Sequence, residues 1–383
     1  MESGRISSSR KIKAVVVACD MVTAFGTGVD ACWKGIISGK TAISELSRFN
    51  TQAFQSGHAA TIEGLKYLQK DSLVMQMFRL MFKKNLPSIP KDATLILATT
   101  KGEIDLLEKK FLRGKGKASN SNLRYLLKKV SALAGIQDSG TIISAACSSS
   151  SAALARGASM IRNGYSDCLL ITACDSVTEF VYSGFSSLMA LEKIAARPFD
   201  KDRKGLSLGE AASYALLMSE ARAKKEKREI MGEIKGWGLS DDANHMTGPS
   251  RTSDGLIMAI SKALKSASAV ESDICFISAH GTGTLYNDEM EMRAFHSVFK
   301  TKTPVYSVKG AIGHTIGSAG LVEAIIALRA LKEKTVPPTV NLKTVDDDAR
   351  GWVSDKQRTL PDNKTALITN AGFSGINTAL VVG

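Results

Sequence analysis

The chain has 383 residues, of which 44% are hydrophobic and 6% aromatic, and it carries a formal net charge of +13. This length and composition are typical of a globular protein with a sizeable core, organised as two or three domains or as one large duplicated unit. No apolar run approaches the roughly 18 residues that cross a bilayer, and residues 1–13 lack the pattern of a secretory signal. We therefore expect a cytoplasmic protein.

The six cysteines contain no C-x-x-C pair, and the five histidines lack ligand spacing, so neither a disulfide framework nor a metal site is expected. The basic residues are not interleaved with aromatic residues, and no nucleic-acid motif is present. Attraction to an acidic protein or to a phosphate-bearing carrier fits the charge, whereas nucleic-acid binding is not expected.

Strands and helices alternate along the chain. In the first half we predict strand 13–18, helices 30–38 and 71–84, strand 93–99, helix 122–134, strand 141–144, helix 148–161, strands 167–174 and 211–219, and a helix end or linker at 220–228. In the second half we predict strand 230–240, helix 254–268, strand 274–278, helix 287–299, strand 304–308, helix 320–332, and strands 366–370 and 377–382. This alternation predicts an α/β architecture with buried, largely parallel sheets.

Cys147 lies where a β-branched run ends and a helix rich in small residues begins. Unpaired N–H groups and the positive end of a helix favour a thiolate, and a sharp turn leaves an N–H free to bind an oxyanion. A nucleophile and a small buried packing cysteine are both consistent with this context alone.

His280 opens the run His-Gly-Thr-Gly-Thr, and His314 lies in a glycine-rich segment, each just after a predicted strand. Open α/β sheets place their sites at the carboxyl ends of strands, so we expect Cys147, His280 and His314 to share one site. The tripeptide Ile-Ser-Ala at 143–145 recurs at 277–279 before His280, as an internally duplicated fold would arrange. The turn at 370–377 is either a plain hairpin or a turn that supplies an oxyanion N–H and a phenylalanine gate.

Eight motifs stand in the order found in one known family. They occupy residues 146–149, 197–200, 209–212, 240–247, 280–284, 309–320, 336–342 and 370–377. On these motifs the chain resembles the elongating, Cys-His-His type of β-ketoacyl-acyl carrier protein synthase, in the thiolase superfamily. The resemblance implies a thiolase-like fold with two duplicated α/β halves in five αβαβα layers. Residues 12–228 would carry the nucleophile and residues 229–383 both catalytic histidines.

The resemblance also implies a role for each matched residue. Cys147 would take the acyl chain from a carrier-protein thioester, while His280 and His314 would polarise the malonyl thioester and stabilise its enolate. The family roles of the other residues are as follows: backbone N–H groups of Cys147 and Phe373 form the oxyanion hole, Lys309 and Glu323 order the His314 side of the site, Thr282 and Thr284 bind the phosphopantetheine arm, and Lys70 faces the carrier.

The implied function is that of a 3-oxoacyl-acyl carrier protein synthase in fatty-acid, polyketide or aryl-polyene-type elongation. It needs no cofactor of its own, because the acidic acyl carrier protein carries the phosphopantetheine. A homodimer is expected, with a heterodimer with a related subunit left open.

Two alternatives are a chain-length-factor-like partner of another synthase and a coenzyme A-dependent thiolase. Chain-length factors usually lack the nucleophile, whereas Cys147 is present. Thiolases have a second cysteine near the C-terminus, where this chain reads Gly372-Phe373-Ser374-Gly375. The chain departs from the family in two places. Its segment between 100 and 140 is short, and the polar part at 101–120 is expected to be a mobile lid or a partner surface. In the C-terminal turn, Ser374 and Ile376 stand where family members often have glycine and threonine.

Overall fold

The computed structural model describes residues 11–68, 71–85, 87–114, 121–137, 140–360 and 365–383. The helices in this part of the chain are α1 Val29–Ile37, α2 Leu73–Asn85, α3 Ile104–Arg113, α4 Leu123–Ala134, α5 Ser149–Arg162, α6 Glu179–Ser187, α7 Glu220–Lys225, α8 Asp254–Ala267, α9 Leu285–Val298, α10 Lys309–Ile312 and α11 Ala319–Lys332. The strands are β1 Ala14–Thr23, β2 Gly26–Thr27, β3 Ser44–Glu45, β4 His58–Ala60, β5 Thr94–Ala98, β6 Thr141–Ile143, β7 Cys168–Asp175, β8 Leu208–Gly209, β9 Ala211–Ser219, β10 Gly232–Asp241, β11 Ile274–Ser278, β12 Val305–Tyr306, β13 Thr335–Val336, β14 Arg358–Thr359, β15 Thr365–Ala371 and β16 Ile376–Val382.

The main sheet has eleven strands in the order β12-β11-β15-β16-β10-β1-β9-β7-β5-β6, with β2 beside β1. Its central strands, from β15 through β16, β10, β1 and β9 to β7, pair antiparallel, whereas β5, β6, β11 and β12 pair parallel. The expectation of largely parallel sheets was therefore wrong. The expectation rested on continuous apolar runs, which indicate that a strand is buried on both faces but not in which direction its neighbours run. Strand β9 is an example, since it is buried at every residue and both its neighbours run antiparallel to it.

The two halves of the sheet repeat one topology. The order β6-β5-β7-β9-β1 has the same sequence of parallel and antiparallel pairings as β12-β11-β15-β16-β10. In this repeat β6 matches β12, so the strand exit of Cys147 corresponds to that of His314. The Ile-Ser-Ala echo before His280 lies at the end of β11, which matches β5, whereas the echo at 143–145 lies at the end of β6; the echo therefore pairs strands that are not equivalent. A boundary between residues 228 and 229 stays a prediction.

Five layers result from the packing of helices on this sheet. Helices α5 and α11 contact each other and lie between the two halves of the sheet, where α5 meets β7 and β9 on one side and β16 on the other. Helices α2 and α4 cover the outer face of the first half, and α8 and α9 that of the second. The αβαβα thiolase-like fold is thus confirmed, and its middle layer brings the starts of α5 and α11 together.

One segment contains a helix that the sequence analysis did not predict. Residues Ile104–Arg113 form helix α3, which packs against α6, where a mobile lid or partner surface was expected. Glu103 and Asp105 are buried at its start, so polar composition did not mean exposure. Among the described residues, no helix has both the length and the apolar character needed to cross a membrane.

Candidate active site

Cys147 lies on a sharp turn between β6 and α5 and is buried. The residue before it, Ala146, has a φ of +46°, a conformation that non-glycine residues adopt only where the surroundings hold it. The serine run after Cys147 supplies that support, because Ser148 Oγ donates to the carbonyl of Ile376 at 3.1 Å and Ser150 Oγ accepts from the N–H of Leu321 at 2.9 Å. The start of α5 is therefore fixed to the second half of the fold.

The environment of Cys147 favours the thiol rather than the thiolate. Burial raises the pKa of Cys147 to about 11, while the Lys309 charge and a hydrogen bond from the N–H of Phe373 act in the opposite direction. Burial thus acts against the thiolate that the helix end was expected to favour. The Phe373 N–H donates to the sulfur and so lies beside the reacting atom, and its oxyanion role stays a prediction.

His280 follows β11 and is held at its backbone and at its ring. Its N–H donates to Glu291 at 2.7 Å. Its Nδ1 lies 3.4 Å from both Lys309 Nζ and Asn370 Nδ2, and both of these groups are donors. Nδ1 must therefore accept, which leaves the proton of the neutral imidazole on Nε2.

His314 has the same tautomer for a different reason. The N–H of Ile316 donates to His314 Nδ1 at 3.2 Å, so Nε2 again carries the proton. Nε2 is buried and has no hydrogen-bond partner among the described residues. A buried donor without an acceptor is costly, and its natural partner is a substrate oxygen.

Cys147 Sγ and one nitrogen from each of His280 and His314 all lie within 4.8 Å of one another. The two imidazoles meet edge to face with their centroids 5.2 Å apart. Burial and the nearby Lys309 charge lower the pKa of both histidines well below 6.5, so both rings are neutral donors at physiological pH. These three groups are also close enough to ligate a cation, and the absence of a metal stays a prediction.

Lys309 and Glu323 form a buried ion pair, each 1% exposed. Lys309 Nζ also donates to the carbonyl oxygen of His280, and Glu323 accepts from Asn370 Nδ2 at 2.6 Å. Besides Glu323, the Lys309 ammonium contacts His280, whereas the resemblance implied that this pair orders the His314 side.

Sequence reasoning missed two residues that hold the site. Asn370 links Glu323 to His280, and it was seen only as the first residue of the C-terminal turn. Glu291 accepts the N–H groups of both His280 and Gly281, and burial raises its pKa to about 7. A charged residue on the buried face of a predicted helix was the available signal for Glu291.

A cavity of about 410 Å³ opens onto the three reactive groups. Thr282 and Thr284 line it, with their hydroxyls 2.9 Å apart. Phe373 lines it too and packs against Phe185 with ring centroids 5.7 Å apart. Exposed Lys204 also lies in this lining, whereas the predicted carrier-facing Lys70 lies outside the described residues.

The fold and this site define a condensing enzyme of the thiolase-like class. Residues 122–223 match the beta-ketoacyl synthase N-terminal domain, and residues 231–343 match its C-terminal domain. The chain belongs to the β-ketoacyl synthase family, as its motifs indicated.

Relatives and solved structures cover nearly the whole chain. The 3-oxoacyl-[acyl-carrier-protein] synthase 2 of Vibrio cholerae is 28% identical, over 97% of this chain and 99% of the relative. The protein of the same name from Mycobacterium leprae is 28% identical over 96% of each chain. The structure of the ishigamide ketosynthase/chain length factor aligns with a TM-score of 0.88 and 26% identity, over 98% of this chain and 99% of that one.

A second solved structure holds a ketosynthase with its carrier. The type II polyketide ketosynthase AntDE, in complex with the acyl-carrier protein AntF and bound to a hexaketide, aligns with a TM-score of 0.87 and 25% identity, over 97% of this chain and 99% of that chain.

Proposed function

We propose that this protein is a 3-oxoacyl-acyl carrier protein synthase, which condenses an acyl group on Cys147 with a malonyl thioester and releases CO2. The observation that carries the proposal is the convergence of Cys147 Sγ and two neutral imidazoles within 4.8 Å at a cavity. The names of the relatives support it.

In the first half-reaction the sulfur of Cys147 attacks the acyl thioester. The new S–C bond forms as the bond to the pantetheine sulfur breaks, and the thiol proton leaves with the departing thiolate. The Phe373 N–H, already directed at Cys147, donates to the oxyanion that develops on the carbonyl. Covalent capture divides the condensation into two easier steps.

In the second half-reaction the C–C bond to the malonyl carboxylate breaks and CO2 leaves. The Nε2–H groups of His280 and His314 donate to the enolate oxygen. Because both rings are neutral, they stabilise the charge without supplying a proton that would quench the carbanion. The enolate carbon then attacks the acyl group, the bond to Cys147 breaks, and the sulfur regains a proton from solvent.

An acyl carrier protein is the proposed partner. Thr282 and Thr284 place hydroxyls along the cavity, where they support binding of the polar amides of a phosphopantetheine arm. The net charge of +13 supports attraction of an acidic carrier. The arm belongs to the carrier, so the proposed reaction uses no cofactor resident in this chain.

A heterodimer with a related subunit is favoured by a specific likeness. The ishigamide structure named above is a ketosynthase/chain length factor, and a ketosynthase in complex with its chain length factor from Xenorhabdus doucetiae shares the fold at a TM-score of 0.83 and 23% identity over 100% of each chain. Since Cys147 is present, this chain would be the catalytic subunit of such a pair. Two measurements distinguish a homodimer from an obligate heterodimer. They are the molecular mass of the purified chain in solution and the activity of this chain when no other subunit is present.

The experiment that tests the function uses the purified chain with acyl and malonyl carrier thioesters. We expect intact-mass spectra to show one acyl adduct that maps to Cys147, and we expect CO2 release with formation of the 3-oxoacyl product. A Cys147→Ala variant is the matched control, and it should lose both the acyl adduct and the 3-oxoacyl product. A wild-type protein without an adduct and without product across a panel of acyl carriers would refute the proposal.

A further inference from the structure

Asp175, the last residue of β7, is buried and accepts hydrogen bonds from both halves of the fold. From the end of β5 it accepts from Thr99 Oγ1 at 2.8 Å, from the N–H and Oγ1 of Thr100 at 3.0 and 2.9 Å, and from the N–H of Lys101 at 3.1 Å. From the second half it accepts from the N–H of Gly317 at 2.8 Å. One carboxylate therefore joins two strand ends to the turn that follows His314.

The contact with Gly317 leaves no free space. A Cβ atom added at Gly317 would lie 2.6 Å from Asp175 Oδ2 and 3.1 Å from the Thr100 methyl carbon. The turn can therefore approach the carboxylate this closely only with glycine at this position. The Asp175 carboxylate and the turn at Gly317 therefore fix each other's position.

Ile316, between His314 and Gly317, has a φ of +55°. This conformation is rare for a β-branched residue and persists only where neighbouring groups hold it. It directs the Ile316 N–H at His314 Nδ1, at 3.2 Å. The hydrogen bond from Gly317 to Asp175 holds the very next peptide, so it opposes relaxation of Ile316.

We propose that Asp175 is a positioning residue for the enolate-stabilising step: by anchoring Gly317 it holds Ile316 so that His314 keeps its Nε2–H donor directed at the cavity. This inference rests on the function proposed above. Asp175 acts through the turn and does not touch substrate.

Asp175→Asn tests the inference with little change in size. Five donors converge on the carboxylate, so replacing one oxygen by an NH2 group places a donor against a donor. Long-range 1H–15N spectra report the tautomer of His314, assigned by comparison with His314→Gln. We expect wild-type protein to show the Nε2–H form and Asp175→Asn a mixture of both tautomers. Malonyl decarboxylation should fall on the order of 10–100-fold. Acylation of Cys147 should not fall, because loss of the Asp175 charge removes one of the influences that raise the Cys147 pKa.

Asp200→Asn is the matched control. Asp200 is also buried, and it accepts from the backbone N–H groups of Lys343 and Thr344 at 2.7 and 2.8 Å rather than from the turn that follows His314. The Asp200→Asn variant should have a lower free energy of unfolding but an unchanged His314 tautomer. This comparison distinguishes a positioning role of Asp175 from a general loss of stability.

A folded Asp175→Asn variant with the wild-type tautomer and decarboxylation rate would overturn the inference. If that variant does not fold, Gly317→Ala makes the same test, because its Cβ displaces the carboxylate. An unchanged tautomer and rate in Gly317→Ala would overturn the inference equally. If wild-type protein shows no decarboxylation but Asp175→Asn alters the tautomer, the proposed function fails while the positioning of His314 stands.

Discussion

Lys309 Nζ lies 3.4 Å from Nδ1 of His280, and both side chains are buried. An ammonium group has donors and no acceptor, so this contact fixes which nitrogen of His280 is protonated. The cation thereby directs an N–H at the cavity, and burial together with this cation lowers the pKa of the ring. Lys309 contributes to the proposed reaction through His280.

Lys309→Met should impair both folding and the second half-reaction. It leaves Glu323 as an uncompensated buried carboxylate, and breaking a buried pair in this way costs about 3–5 kcal/mol. Denaturant unfolding should report this loss of stability. Decarboxylation should fall as well, because His280 Nδ1 loses its cationic donor.

The double variant Lys309→Met/Glu323→Gln separates the two effects. The second substitution removes the buried charge and still offers an amide oxygen to Asn370, so most of the stability should return while decarboxylation stays low. The partly exposed pair Lys13–Glu220, 3.9 Å apart, is the control, and Lys13→Met should cost at most about 1 kcal/mol. Full recovery of decarboxylation in the double variant would contradict the role given to Lys309.

The sequence located the three reactive residues because each follows a strand and lies in a recognisable motif. It misjudged what surrounds them. Lys309 lies close to His314 along the chain, yet its side chain contacts His280, a contact set by the short helix α10. The upward shift of the Cys147 pKa was also missed, because desolvation depends on packing from both halves, which local sequence does not encode. The antiparallel pairing of the central strands was not predicted for a related reason, because the apolar pattern of a strand depends on its burial and not on its direction.

His280→Ala and His314→Ala should each suppress decarboxylation while leaving capture of the acyl group largely intact. Removal of one fixed donor to a developing oxyanion typically costs about 10²–10³-fold in rate. Release of labelled CO2 from malonyl carrier protein measures the first activity, and the mass of the acyl adduct on Cys147 measures the second. Equal loss of both activities would indicate that these histidines support folding rather than the enolate.

The decarboxylation rate should be insensitive to pH across the ordinary pKa of histidine. Burial and Lys309 lower the pKa of His280 and His314 well below 6.5, so both remain neutral as the pH falls through that value. The same shift stabilises the fold above pH 6.5, and this contribution is lost as the pH falls further, because the unfolded chain then binds protons that the folded chain does not. A decarboxylation profile for Cys147→Ala that halves near pH 6.5 would disagree with neutral, buried rings.

The rate of alkylation of Cys147, in contrast, should depend strongly on pH. Burial raises the pKa of Cys147 to about 11, so the thiolate fraction, and with it the rate of reaction with iodoacetamide, should rise about tenfold per pH unit from neutrality. Peptide mass spectrometry after timed labelling isolates this cysteine from the other five. A plateau near the ordinary value of 9.0 would show that the donors at Cys147 outweigh its burial.

Lys204→Glu should weaken productive encounter with the carrier without altering the chemistry. Lys204 is exposed in the lining of the active-site cavity, so reversing its charge places repulsion where an acidic carrier would approach. We expect a higher KM for carrier-bound malonate, an effect that shrinks as salt screens the charges, and little change with a small uncharged pantetheine thioester. Lys332→Glu is the control, since Lys332 is exposed and lines a separate cavity. Equal KM changes in the two variants would mean that net charge, rather than charge at the cavity, governs the encounter.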